Sequence, residues 1–509
     1  MTQQSNDISH SVGLSRFNKF FFLGIGGIGM SAIARFFKLR GGSVSGYDRT
    51  PSALTHSLES EGIAVSYTDS LAALPAGYDD PCKVLVVRTP AVPQDSVLLQ
   101  WLQSKGYMMM KRAEVLGLLT RDMRSLCVAG THGKTTTSTM LAHLLHNSEG
   151  RMLSDVPASA PKQQQGNGVN AFLGGISVNY GSNFLHSDSS DIVVVEADEY
   201  DRSFHHLRPT MAIVTSTDPD HLDIYGSAEA YRESFAVFTS LIKPGGVLLR
   251  KAGITLESRL QHGVRELTYG VIDAYRSADS DSQQGTNTTL PDYYADNIVT
   301  TDGEIRFDFH GPQVCVRDVR LGVPVWVNIE NAVAAMTIAL LNGVTEDELR
   351  EGMASFRGTL RRFNTLVKTE NTVLIDDYAH HPDELRQSIC SVRRLYPGAT
   401  LTGVFQPHLY TRTRDFYKQF AASLSLLDRL ILLPIYPARE LPIDGVTSEL
   451  ILKEATLDDK ELCDKTELPE KLRAIAVNGR DTKHKQVIMT LGAGDIDRLL
   501  PDIVQQIEK

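Results

Sequence analysis

Apolar runs of four to six residues recur along the chain, each halted by a glycine or a carboxylate and followed by residues with helical spacing. Phe20-Phe-Phe-Leu23 stops at Gly24, Ile192-Val-Val-Val195 stops at Glu196, and Met211-Ala-Ile-Val214 runs on toward Asp218. Continuous apolar runs of this length, without alternation, predict strands buried on both faces of a parallel sheet, with helices as crossovers. The same pattern predicts strands over residues 43–47, 372–377, 399–405, 430–435 and 486–491. No segment repeats. The alternation restarts near residues 19, 126 and 372, which predicts an α/β protein of three domains over residues 1–120, 121–366 and 367–509.

Composition adds limits. A chain of 509 residues has room for about three domains of roughly 150 residues each. Hydrophobic residues at 42% and charged residues at 22% are those of an ordinary globular protein. A net charge of −10 argues against a nucleic-acid footprint. The five cysteines are scattered without zinc or disulfide spacing, as expected in a reducing cytoplasm. The polar N-terminus lacks the core of a signal peptide, and no apolar run reaches the roughly 20 residues that span a bilayer. Membrane insertion is therefore not expected. Two polar stretches, 154–168 and 277–289, are predicted to be flexible insertions.

The most informative motif is Gly130-Thr-His-Gly-Lys-Thr-Thr136, placed between an apolar run and a helical pattern. Strand, glycine turn and helix start make a cradle of backbone N–H groups for phosphate. Lys134 adds a point charge and Thr135 a hydroxyl for Mg²⁺. Val128 occupies the first glycine position of the common form of this loop. ATP is the expected ligand. Earlier, Gly24-Ile-Gly-Gly-Ile-Gly29 follows the first strand, and Asp48 ends the next. Gly24, Gly26, Gly27 and Gly29 would let a diphosphate approach the helix N-terminus, with Asp48 on ribose hydroxyls.

Strand ends carry the remaining candidates. Glu196, after four apolar residues, is a candidate Mg²⁺ ligand, and His221 lies among Asp218, Asp220 and Asp223. Asp376-Asp-Tyr-Ala-His-His381 follows a strand, and Arg412 and Arg414 lie just past another, where guanidinium forks would clamp a carboxylate. Arg361 and Arg362 end the central region, within possible reach of ATP phosphates from a hinge. Asn328 and Asn331 stand at a helix start, placed to cap it or to bind a base. A nicotinamide-dependent oxidoreductase would use only the first glycine loop, and a nucleotide-driven switch only the second. An ATP-dependent ligase, joining an acid to an amine, uses all three regions.

Taken in order from about residue 19 to Asp495, these motifs, with Glu196-Ala-Asp-Glu199 and Gln406-Pro-His-x-Tyr-Thr-Arg-Thr-Arg414, closely resemble the Mur ligases of peptidoglycan synthesis. The resemblance implies a Rossmann-like first domain, a central P-loop ATPase domain and a C-terminal Rossmann-like domain. Within the family, the Asp-Tyr-Ala-His-His and Tyr-Thr-Arg-Thr-Arg runs are similar to those of members that add L-alanine to UDP-N-acetylmuramate. It implies that the first glycine loop binds UDP and that Gly130, Thr131, His132, Gly133, Lys134, Thr135 and Thr136 hold ATP phosphates. It further implies that Thr135, Glu196 and His221 serve Mg²⁺, that Asn328, Asn331 and Arg362 serve ATP, and that His380 and Arg412 hold L-alanine. Lys134, His221, His380 and Arg412 are the implied catalytic set. A monomer or weak homodimer is expected.

Three positions depart from that pattern. Leu409 stands where such members often carry arginine, which shifts the hold on the amino-acid carboxylate toward Arg412. Val327 replaces the histidine that commonly precedes the first asparagine of the nucleotide motif. No lysine lies between His221 and Lys243, so the carbamylated lysine of other Mur ligases is not expected.

Overall fold

The computed structural model describes residues 14–148, 168–220, 222–272, 290–301, 303–438, 440–482 and 484–508. The predicted insertions at 154–168 and 277–289 fall outside these residues, Gly168 excepted, and so does His221.

Five parallel strands form the first sheet: β1 (Lys19–Leu23), β2 (Ser43–Tyr47), β3 (Ala64–Ser66), β4 (Val84–Arg88) and β5 (Met108–Lys111), in the order β3-β2-β1-β4-β5. The central strand β1 is buried from Phe20 to Leu23, as its unbroken aromatic run requires. The second sheet holds β6 (Arg124–Ala129), β7 (Asn170–Ser177), β8 (Ser182–Leu185), β9 (Ile192–Glu196), β10 (Met211–Val214), β11 (Val247–Lys251), β12 (Arg265–Val271), β13 (Tyr293–Thr301), β14 (Glu304–Gly311) and β15 (Val314–Arg320). Its order is β15-β14-β13-β12-β11-β10-β6-β9-β7-β8. The strand β6 thus lies between β9 and β10, parallel to both; the connection from β6 runs to β7 on one side and that from β10 to β11 on the other. In an open α/β sheet that reversal makes a crevice at the carboxyl ends of the strands.

The third sheet contains β16 (Asn364–Lys368), β17 (Thr372–Asp377), β18 (Thr400–Phe405), β19 (Arg429–Leu432), β20 (Asp459–Leu462) and β21 (Gln486–Leu491), ordered β16-β17-β21-β18-β19-β20. Only β16 runs antiparallel to its neighbour among the strand pairs registered in this sheet. The predicted strands at 43–47, 372–377 and 486–491 are observed with those limits. The antiparallel edges β7–β8 and β16–β17 were not anticipated from the sequence.

Compactness divides the chain differently from the sheets. One unit gathers Met1–Ala295, Phe309–Val316 and Glu330–Met353; the other gathers Asp296–Asp308, Arg317–Ile329 and Ala354–Lys509. The first sheet and strands β6–β12 of the second share the first unit, where their cores meet. Phe36, on the helix Ile28–Leu39, packs against Phe172 and Phe184 with ring centroids 5.6 and 6.2 Å apart. Arg35 on the same helix is held by Glu61 at 2.7 Å and donates to Asn183, a polar bond inside an otherwise apolar contact. Among the described residues no helix is long and apolar enough to cross a membrane.

Candidate active site

The first glycine loop leaves β1 through Gly24, whose φ of +83° turns the chain toward the helix Ile28–Leu39. The Gly26 N–H donates to Asp48 Oδ2 at 2.7 Å, so Asp48 pins the loop from the neighbouring strand end. Gly27 caps the helix, and the side chain of Arg112 lies so close to Gly29 that a β-carbon there would collide with it. Arg112 in turn donates to Asp198 Oδ2 at 2.9 Å. One arginine therefore touches the glycine loop of the first sheet and the acidic exit of β9 in the second.

The second loop is launched by β6. Gly130 has a φ of +138° and sits against Thr215, where any β-carbon would overlap the threonine hydroxyl. Thr215 N donates to Ala129 O at 3.0 Å, which binds the exit of β10 to this turn. His132 N donates to Ser216 Oγ at 2.9 Å, and Thr131 Oγ1 lies 2.6 Å from Asp218 O and 2.8 Å from Tyr231 Oη. Gly133 is left-handed at φ +81° and begins the helix Lys134–His146, whose first N–H groups have no intrahelical partner. Lys134 bends back over the loop. Its Nζ donates to Gly130 O at 2.6 Å, Thr131 O at 3.2 Å and Glu199 Oε1 at 2.9 Å. Burial pushes the Glu199 carboxyl up while Lys134 opposes the rise.

Register brings Glu196 to the same place. It pairs with Val128 across β6–β9, two residues before Gly130. Gly174 N donates to Glu196 Oε2 at 3.1 Å, and a β-carbon on Gly174 would run into all three heavy atoms of that carboxylate. Behind the loop, Asn331 Oδ1 accepts from Thr137 Oγ1 at 3.1 Å and lies against Gly133. A cavity of about 450 Å³ adjoins the loop, lined by Thr215, Ser216, Lys251, Gly253, Gly270 and Glu330 among others. Lys251 and Glu330 pair at 2.6 Å in its wall.

The second unit carries its own polar centre. Asp376 and Asp377 end β17. Asp376 is 1% exposed, accepts from Thr490 Oγ1 at 2.8 Å and faces Arg361 Nε at 3.6 Å. Burial pushes its carboxyl up to about 6, with Arg361 opposing. Arg361 also donates to Gly492 O at 2.6 Å and Gly494 O at 3.1 Å. His380 Nδ1 lies 3.1 Å from Tyr378 O and 3.3 Å from Glu384 Oε2. Burial holds the imidazole below its ordinary range; Glu384 opposes this, and the Arg412 charge adds to it. His380 is therefore neutral near pH 7. Arg412 Nη1 is buried and has no hydrogen-bond partner among the described residues, which for a guanidinium is a costly state that an anion would relieve.

Models of three domains match this chain in sequence order. The Mur ligase family catalytic domain covers residues 19–124, the Mur ligase middle domain 128–339 and the Mur ligase glutamate ligase domain 361–494. The chain belongs to the Mur ligase family. It is 54% identical over 483 residues, 95% of this chain and 96% of the relative, to the UDP-N-acetylmuramate–L-alanine ligase of Parabacteroides distasonis. The protein of the same name from Flavobacterium johnsoniae is 40% identical over 498 residues, 98% of this chain and 100% of the relative. Among solved structures, the UDP-N-acetylmuramate-alanine ligase MurC of Thermotoga maritima superposes with a TM-score of 0.73 at 25% identity, covering 96% of this chain and 99% of that one.

Within this Mur ligase the structure brings together Gly130–Thr136, Glu196 and the exit of β10, as their motifs suggested. It separates others. Arg414 lies two residues beyond Arg412 on the helix Tyr410–Leu424, is exposed, and pairs with Asp415 at 2.8 Å. Helical residues two apart do not share a face, so Arg412 and Arg414 do not present one joint surface. Asp48, expected on a ribose, is engaged by the loop backbone. Asn328 Nδ2 donates to Val323 O at 3.2 Å, and Arg362 stacks over Tyr378 at 5.5 Å. Leu409, the departure noted in the amino-acid motif, has φ +71° and caps the helix bearing Arg412. Sequence reading assigned no role to Gly174 or Arg112, and it quoted Glu199 without giving it one. A Gly-Gly pair inside a strand pattern was the available signal for Gly174.

Proposed function

We propose that this Mur ligase joins L-alanine to the lactyl carboxylate of UDP-N-acetylmuramate, with conversion of ATP to ADP and phosphate, in peptidoglycan precursor synthesis. The observation that carries the reading is Lys134 in a loop launched by β6, whose Val128 is registered with Glu196, in a chain that matches an alanine ligase over 95% of its length. Phosphoryl transfer to the lactyl carboxylate makes an acyl phosphate, and attack by the alanine amine expels phosphate. The residues act by placement and by neutralising charge. Lys134 and the N–H groups of Gly130–Thr136 meet the ATP phosphates. The Gly24–Gly29 loop, held by Asp48, receives the UDP diphosphate. Arg412 takes the alanine carboxylate through its free Nη1, and neutral His380 sits beside that carboxylate. The roles of Asn328, Asn331 and Arg362 toward ATP belong to the same proposal, and so does a role for Arg414 near the amino acid.

Magnesium is proposed on the Thr135 hydroxyl, the Glu196 carboxylate and His221. A hydroxyl and a carboxylate beside one phosphate loop are the hard oxygen donors that Mg²⁺ favours, and Gly174 holds Glu196 in place for them. When bound, the ion neutralises phosphate oxygens. We place the enzyme in the cytoplasm as a monomer or weak homodimer, which sedimentation of the purified protein tests.

Purified protein should release phosphate from ATP only when both UDP-N-acetylmuramate and L-alanine are present. Equal release without either substrate would sink the reading. A parallel assay with the ready-made tripeptide in place of alanine separates this enzyme from a recycling ligase that uses the same sugar nucleotide.

A further inference from the structure

Glu199 lies three residues past the end of β9 and is 2% exposed. Its backbone is fixed from two sides: its carbonyl accepts from the Tyr225 hydroxyl and from Arg202 N–H at 2.9 Å. The residues that follow, Asp201 and Arg202, both adopt left-handed backbone at φ 51° and 53°, an arrangement that costs energy in non-glycine residues. Arg202 also lies over the Tyr225 ring at 4.6 Å. A strained turn therefore delivers one buried carboxylate to one place.

That place is Lys134 Nζ. The two carboxylate oxygens lie 2.9 and 2.8 Å from it, and Oε2 has no aligned hydrogen-bond donor among the described residues. Lys134 is the cation that opposes the burial of Glu199, while Asp198 alongside adds to the burden. The ammonium has three protons, and the loop carbonyls of Gly130 and Thr131 and the Glu199 carboxylate accept all three. A phosphate entering the cradle meets Lys134 only if one of these partners yields. The two carbonyls are part of the curl of the loop. Glu199, the anionic partner in the ion pair with Lys134, would then stand next to the phosphate charge.

We infer that Glu199 is a positioning residue for Lys134: it is the resident counter-ion that holds the lysine in the loop before nucleotide binds, and it weakens nucleotide binding by its own charge. This inference rests on the reading of Gly130–Thr136 as the nucleotide-phosphate loop. A second link gives it reach. Asp198, the preceding residue, is bound to Arg112, which lies on Gly29 of the other glycine loop.

The test is Glu199→Gln, which keeps an acceptor for Lys134 and removes the charge, with ADP as the probe in calorimetry on the full chain. ADP should bind about tenfold more tightly, the size of one like-charge contact relieved at a partly buried site, while turnover falls because ADP leaves slowly. Glu199→Asp, which keeps the charge, should give no such tightening. A merely structural role would weaken ADP binding, lower the melting temperature and slow turnover together. Unchanged or weaker ADP binding in Glu199→Gln, with wild type binding ADP and Lys134→Ala losing it, overturns the inference alone. Failure of wild type to bind ADP overturns the loop reading as well.

Discussion

Two cations anchor the polar centres of this molecule, and they are in opposite states. Lys134 has every proton accepted by its own protein, whereas Arg412 keeps a buried Nη1 with no acceptor among the described residues. The phosphate loop is therefore an exchange site, where a ligand must displace a partner. The amino-acid centre is a filling site, where a ligand supplies a missing one. Exchange costs affinity but keeps the group ordered; filling gains affinity because the empty state is already unfavourable.

The contrast can be broken most severely at Lys134. Lys134→Ala should lower turnover by at least about a thousandfold, since it removes a preset cation from developing phosphate charge. Calorimetry should find UDP-N-acetylmuramate binding intact, because the first glycine loop has its own supports in Asp48 and Arg112. Lost sugar-nucleotide affinity would contradict that independence.

Next comes Arg412. Arg412→Ala should raise the KM for L-alanine about a hundredfold, the value of a charge-assisted pair in a buried site, with little change in the KM for ATP. Arg412→Lys should rescue poorly, because a point charge does not reproduce the fork. An unchanged KM for alanine would remove Arg412 from the site.

A smaller effect is expected from Gly174→Ala, which pushes the Glu196 carboxylate out of place without touching Lys134. Mn²⁺ binding followed by electron paramagnetic resonance should weaken about tenfold, as for other residues that orient a metal ligand. Equal Mn²⁺ affinity in variant and wild type would show that Glu196 is not the ligand.

The two regions should also respond to pH with opposite signs. Burial pushes Asp376 up to about 6 from 3.8, so between about pH 4 and 6 the native state keeps a proton that the unfolded chain releases, and stability falls as pH rises. Burial pushes His143, on the helix Lys134–His146, down to about 4 from 6.5. There the unfolded chain holds the extra proton across pH 4 to 6.5, and stability rises with pH. Denaturant midpoints through this window should gain slope in Asp376→Asn and lose it in His143→Gln. Slopes moving the same way in both would refute the assignment. The smallest effect belongs to Arg414→Ala, expected to stay within about twofold in kcat and in the KM for alanine, since its partner is Asp415 at an exposed site.

What the chain spells out locally was readable beforehand. The loop at Gly130 was legible because strand, glycines and lysine are contiguous, and the apolar run before Glu196 marked its strand end. Contacts set by register were not legible. Gly174 reaches Glu196 only because β7 lies beside β9, and Arg112 reaches Gly29 only because β5 lies two strands from β1 in the first sheet. Asp48 follows the dinucleotide-loop pattern, yet its carboxylate is taken by a backbone N–H that no spacing rule reveals. Arg414 is instructive in another way, since helical periodicity already turns it away from Arg412.

The glycines at 130 and 174 also bear on how this site can change over generations. Neither position accepts a single added carbon without displacing Thr215 or the carboxylate of Glu196. An inhibitor whose contacts are confined to these two surfaces leaves no one-step substitution at either residue that blocks the drug and spares the enzyme.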